Sequence, residues 1–476
     1  MKKRLLSWLM ALVLVCSLLP ASVLAEEAKE ETSAPAAGAA QLTPEQETGP
    51  EEAENAEEEK VVEEPAGSSG PQEPQSGVEP ADEAEEETKQ KDEQKQEPAE
   101  AMEITAEPMA QASAEDGQSN AYAAQIGETV YETLDAAITA AEDGAIIELL
   151  NDCRLTVGTI AKNVTISGRG KTVTADARLQ ILSGGNLTFQ GGEVRFCADE
   201  EWNVVIGAGD EPVSNASLTF TDGCRAAFTG SGLYSSAGAV IRVSGQSALT
   251  FEDTGYTAVM GLRPKGDTAW AVIQVENGSR FEIDHAWRPA GSGKDAANGI
   301  TSFKIDITES EFIVTDCENQ GLVRCWLTLD RSTAEISGND TGMTGYNGTD
   351  VLTMKNGSRL TMEDNTSAGI FLWGGRVEVQ PGNMLEIIGT GRAFSGTPDR
   401  STGAFVCYYY RSSYQADVRF EDGADVKITG NPLGGINNDG KLYLGNGTEI
   451  TGNGGKALYG GGIQNRGNIE IADGVR

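Results

Sequence analysis

The chain has 476 residues, and its 73 acidic against 36 basic side chains leave a net charge of −37. A chain so acidic is a poor partner for nucleic acid, whose phosphates need a basic surface. No zinc-spaced cluster, phosphate loop or Ser-His-Asp pattern stands out along it.

The first segment concerns destination. Lys2, Lys3 and Arg4 precede an apolar run from Leu5 to Leu19, Pro20 breaks the run, and Val23-Leu24-Ala25 offers small residues for cleavage. Charged head, short apolar middle and small-residue exit are the parts of a secretory signal, so residues 1–25 are expected to be removed after Ala25. The apolar run is too short to span a membrane comfortably, and no stop-transfer segment follows it. Residues 26–120 are rich in Glu, Ala, Pro, Gln, Ser and Gly, poor in aromatics, and carry 29 acidic against 5 basic residues. Such a segment buries too little apolar surface to offset its backbone entropy, and its charges repel. It reads as a disordered acidic linker.

From residue 121 the composition changes: Glu runs end, and short alternating apolar stretches begin. Leu134, Ala137, Ile138 and Ala141 fall at i, i+3, i+4 and i+7, which predicts a short amphipathic helix capped by Thr133 and ended by Gly144. Ala145 to Leu150 and Asn163 to Ser167 read as strands. An apolar-x-apolar pattern then recurs at a nearly constant step in Leu187-Thr188-Phe189, Leu218-Thr219-Phe220, Leu249-Thr250-Phe251, Phe281-Glu282-Ile283 and Phe312-Ile313-Val314. Most copies have a second strand just upstream across an Asn/Gly turn, as in Val272-Ile273-Gln274-Val275 before Glu276-Asn277-Gly278-Ser279. A sandwich of hairpins would run out of repeats after a few strands, whereas this pattern persists through residues 121–476; a solenoid of stacked coils accounts for it.

The opening helix and first coils, Leu134-Asp135-Ala136-Ala137-Ile138 through Asn163-Val164-Thr165-Ile166-Ser167-Gly168, resemble the N-terminal cap of pectin-lyase-like proteins. Gly434-Gly435-Ile436-Asn437-Asn438-Asp439-Gly440 and Gly461-Gly462-Ile463-Gln464-Asn465-Arg466-Gly467 are similar to glycine-rich repeats of β-helical bacterial surface proteins. The resemblance implies an all-β, right-handed parallel β-helix with a short capping helix. It leaves activity open, because such folds serve lyases, glycoside hydrolases and adhesins alike.

The side chains narrow this little. The only histidine, His285, lies in Ile283-Asp284-His285, a stretch similar to one found in some pectate lyases. The resemblance makes Asp284 and His285 weak catalytic candidates and Asp284 a candidate calcium ligand; the arginine-rich motif that accompanies it there is missing. No Gly-His-Gly and no Asp-Asp pair occurs in residues 121–476, so polygalacturonase-type hydrolysis lacks its parts. The six cysteines beyond the signal, Cys153, Cys197, Cys224, Cys317, Cys325 and Cys407, permit a full disulfide set in a secreted protein, but their irregular spacing equally suits unpaired core thiols. Cys317 and Cys325 are the pair to test.

A binding surface is the stronger expectation. If one coil separates Leu218 from Leu249, the same step sets Tyr256 one coil below Trp287 and Arg263 one coil below Lys294, in loops over 256–269 and 286–299. Coils stack about 4.8 Å apart, so the four residues would form an aromatic and basic strip suited to anionic or sulfated glycans. Tyr408-Tyr409-Tyr410-Arg411 is a second such cluster. The expected function is a secreted or cell-surface bacterial adhesin-like module binding host or microbial glycans. A lyase or glycoside hydrolase on the same fold and a structural spacer are the alternatives. Because the last strand, Asn468-Ile469-Glu470-Ile471, lies inside a coil close to Arg476, the repeat is expected to continue in a longer protein.

Overall fold

The structure, a computed structural model, describes residues 122–207, 212–263, 269–289, 297–346, 350–391, 403–408, 415–455 and 461–476. Residues 1–121, which include the expected signal segment and acidic linker, lie outside the described residues. No described helix is long and apolar enough to cross a membrane.

Period-two alternation decides the architecture. In Asn186–Gln190, Leu187 and Phe189 point inward while Asn186, Thr188 and Gln190 stay half-buried, so a row of such strands has one apolar face to cover. Each coil contributes one strand to each of three sheets, here called A, B and C, and the chain winds A to B to C and back to A. Among the described residues the sheets have 15, 12 and 12 strands. All pairings are parallel except at the start, where Ala124–Ile126 pairs antiparallel with Thr129–Tyr131 and with Ala145–Leu149. The expected helix spans Leu134–Ala140; the Thr133 hydroxyl accepts the Ala136 N–H at 3.1 Å, and Leu134, Ala137 and Ile138 are buried.

Three inner faces meet in one continuous core. Phenylalanines stack along it from coil to coil, Phe196 on Phe228 at 4.3 Å and Phe228 on Phe251 at 4.5 Å between ring centroids. Two buried polar columns satisfy backbone N–H groups at the corners, as a closed interior requires. Where sheet A passes into sheet B, the N–H of Ser247 donates to Ser279 Oγ, that of Ser279 to Ser310 Oγ, and that of Ser310 to Ser332 Oγ. Where sheet B passes into sheet C, Asn339, Asn365, Asn431 and Asn453 play the same part.

The true coil differs from the repeat that the sequence displays. Leu187 and Leu218 are register partners in sheet A, but the next partner of Leu218 is Ile241, which comes well before Leu249 in the chain. Leu249, Phe281 and Phe312 belong to sheet B. The steady step therefore arises from counting across two sheets. True coils vary widely: the one from Ala145 to Val164 is less than half as long as the one from Val377 to Val418. The variation is not spread evenly. Every A-to-B connection is a short turn, such as that between Glu276 and Arg280, whereas those entering or leaving sheet C can be long, as between Ile388 and Phe405. Paired left-handed residues hold the A-to-B corner tight, for example Asn277 and Gly278 at φ +59° and +71°.

Candidate functional site

From Gly230 to Asp364 each turn out of sheet B toward sheet C begins with a left-handed residue. Asp253, His285 and Asp316 occupy that position on successive coils with φ of +51°, +63° and +57°. Aspartate and histidine tolerate this conformation better than most side chains. The turn throws their polar groups outward, and His285 Nδ1 lies 2.9 Å from Asp253 Oδ1.

Beside this pair stands Trp287, 37 % exposed. The parallel register pairs Trp287 with Gly255, so Gly255 and not Tyr256 lies directly beneath it. A Cβ on Gly255 would stand 3.5 Å from Trp287 Cζ2 and 3.6 Å from Pro289 Cγ, so the indole rests across the bare glycine. The indole N–H donates to the Asp253 carbonyl at 3.1 Å, which fixes the ring's orientation. Tyr256 is half-buried, left-handed at φ +66°, and its backbone N–H donates to the Trp287 carbonyl at 3.0 Å. One exposed aromatic plane is thus anchored by a hydrogen bond and by its contact across Gly255.

The surroundings are acidic. Partial burial, then the neighbouring carboxylates of Asp316 and Glu282, push the Asp284 carboxyl above its ordinary value; His285 opposes the shift and Asp253 adds to it. Glu318 adds another carboxylate, accepting the Arg288 N–H at 2.9 Å. Among the described residues no three His, Cys, Asp or Glu side chains converge where a metal ion could sit. The imidazole bonds a carboxylate and not a hydroxyl or thiol.

The other expected strip residues are not gathered here. Arg263 follows the sheet C strand Val259–Gly261 and lies on the opposite flank of that sheet, where the chain returns to sheet A. Lys294 lies outside the described residues, as do Tyr409, Tyr410 and Arg411. Tyr408 is described, and its ring meets Trp373 at 4.9 Å and Phe371 at 6.3 Å, a grouping the sequence spacing did not bring together. All six cysteines are free thiols. Cys317 and Cys325 serve different contacts: the Cys317 N–H donates to Asn339 Oδ1, while the Cys325 thiol faces the Ile300 and Val323 carbonyls.

Comparison with protein-family models, with curated proteins and with solved structures finds no match to the chain.

Proposed function

We propose that this chain is a secreted or cell-surface bacterial protein whose solenoid acts as an adhesin-like module, binding glycans at the corner built around Trp287. In this reading residues 1–25 direct export and residues 26–120 form an extended acidic spacer. The coil is right-handed, as parallel crossover connections nearly always are, and akin to the pectin-lyase-like architecture. The observation that carries the proposal is the pinned, exposed indole over Gly255. A fixed aromatic plane stacks against the C–H face of a sugar with little ordering cost. The carboxylates of Asp253, Asp284 and Glu318 accept hydrogen bonds from hydroxyls, so the corner suits neutral sugars better than the anionic ones expected from Arg263 and Lys294.

The test is incubation of the protein with neutral, uronic and sulfated polysaccharides, with and without calcium, followed by affinity measurement and mass spectrometry of sugar ends. Binding without new ends, and its loss in Trp287→Ala, is the expected result. A carbohydrate-active enzyme is the second reading, favoured by the raised Asp284 carboxyl beside the Asp253–His285 pair. New sugar ends that vanish in Asp284→Asn would establish it instead. Attachment unchanged in Trp287→Ala would leave the corner without a role.

A further inference from the structure

The far flank of sheet C, where the chain returns to sheet A, has a different chemistry. Tyr346 and Trp373 are register partners, with rings 6.3 Å apart and 8° from parallel. Phe371 adjoins Trp373 at 5.2 Å and Tyr408 meets it at 4.9 Å, so one aromatic group spans three successive coils. Arg324 lies on the coil preceding Tyr346, its guanidinium carbon 4.9 Å from the centre of the Tyr346 ring. Arg324 holds a left-handed backbone, φ +53°, a strained conformation for a long side chain. Trp270 and Trp326, at 5.4 Å, continue the aromatic surface toward Arg263.

Charge sets this edge apart. Residues 121–476 carry 44 acidic against 28 basic side chains, and most cations of sheet B are neutralised by carboxylates, such as Arg280 by Glu282 and Arg359 by Glu386. Lys304 and Arg376, which border the edge, are neutralised likewise by Asp306 and Glu378. Arg263 and Arg324 are exposed, and neither makes an ion pair among the described residues. A guanidinium stacked on a tyrosine keeps its in-plane N–H fork for a carboxylate or sulfate.

We propose that this edge is a second binding site, separate from the Trp287 corner, that takes a linear anionic saccharide laid along the solenoid axis. From Arg263 to Tyr408 the edge crosses five coil steps, about 24 Å at ~4.8 Å per step. Sugar rings then pack on the half-buried aromatic surface while the two guanidinium groups meet the anionic substituents. The ligand is a polymer and not a monosaccharide, because the aromatic group and its flanking cations lie on different coils.

Dextran sulfate and neutral dextran share a backbone, so calorimetric titration of the full chain with size-matched oligomers of each isolates the charge. Long dextran sulfate is expected to bind, short oligomers more weakly, and neutral dextran not at this edge. Affinity for dextran sulfate should drop roughly tenfold in Arg324→Gln, whose side chain is exposed and outside the core, and similarly in Trp373→Ala, while Trp287→Ala leaves it unchanged. Added salt should weaken the same complex. Unchanged binding in Arg324→Gln, or no binding of dextran sulfate, overturns the proposal. Tighter binding of single-stranded DNA than of dextran sulfate would also overturn it and make the edge a stacking site for bases. Failure of the Trp287 reading shows separately, as unaltered neutral-glycan binding in Trp287→Ala.

Discussion

Asn365 Oδ1 accepts two hydrogen bonds from the coil below, one from the backbone N–H of Asn339 at 3.1 Å and one from its Nδ2 at 3.2 Å. Its own amide donates to the Ile336 carbonyl at 2.9 Å. Asn365 is fully buried, so Asn365→Ala strands the N–H of Asn339 and the Ile336 carbonyl away from water. The expected cost is roughly 2–4 kcal/mol, one to two unmade buried hydrogen bonds. Neighbouring coils depend on one another in a solenoid, so the loss should appear first as faster hydrogen exchange at Asn339 and in the strand Thr333–Ser337. Unaltered exchange there would show that the ladder is not what holds the corner.

Phe228 lies between Phe196 and Phe251, within 4.3 and 4.5 Å of each, and is fully buried. Phe228→Ala removes the middle ring of the stack. The expected destabilisation is about 3–5 kcal/mol, read from denaturant midpoints. Phe228→Leu should recover most of it, since volume and not ring geometry fills the gap. A leucine variant as damaged as the alanine variant would assign the stability to ring stacking instead.

The contrast between these columns and the candidate sites explains what the sequence makes legible. Apolar-polar alternation is local, so strands such as Val240–Val243 and Ala271–Glu276 can be read from a few residues, as can the Thr133 cap. Coil length is not local. Leu218 and Leu249 look like equivalent repeats because both are apolar strand residues, and only the pairing of Leu218 with Ile241 separates their sheets. The same error moves Trp287 from Gly255 to Tyr256. The aromatic edge is hidden for a related reason: Arg324, Tyr346, Trp373 and Tyr408 follow one another at unequal and growing intervals, because the insertions fall beside sheet C. Once sheet C registers are known, aromatic residues at consecutive strand ends become a usable signal.

Burial pushes the thiols of Cys224, Cys317 and Cys325 up to about 12, and that of Cys153 to about 11. Few of these four thiols are therefore ionised at mildly alkaline pH, and they are shielded as well. Ellman's reagent should label exposed Cys197 quickly, half-buried Cys153 slowly and the other four only after denaturation. The unfolded thiols ionise near the ordinary value of 9.0, so stability falls as pH rises above that value toward the folded one. A native protein that yields no reactive thiol after denaturation without reductant would mean disulfides, against the free thiols seen here.

Asp284 offers a pH test at the Trp287 corner. Its carboxyl is raised in the fold by partial burial and by Asp316, Glu282 and Asp253. The unfolded carboxyl ionises first, so stability is lost as pH climbs from the ordinary value of 3.8 through the folded one, and the loss persists at neutral pH. Asp284→Asn removes that charge. The variant should melt slightly higher than the parent at neutral pH, with the difference closing below the ordinary carboxylate value. A lower melting temperature at neutral pH would show that Asp284 is held by favourable contacts that outweigh the repulsion.

Gly255 tests the indole platform without touching the indole. A Cβ there makes only ordinary contact with Trp287 Cζ2, at 3.5 Å, so Gly255→Ala should leave both fold and glycan binding close to those of the parent. A larger side chain occupies the space where the ring lies. Gly255→Leu should therefore lift the indole off its seat and break the bond from Trp287 Nε1 to the Asp253 carbonyl. Because Gly255 and Trp287 lie at the end of their paired strands, after Phe251 and Ile283 have entered the core, the coil itself should hold. The readouts are a red shift in tryptophan emission and loss of neutral-glycan affinity with little change in melting temperature. Full affinity in Gly255→Leu, with the emission shifted, would mean that the seated orientation of Trp287 is not what the ligand uses.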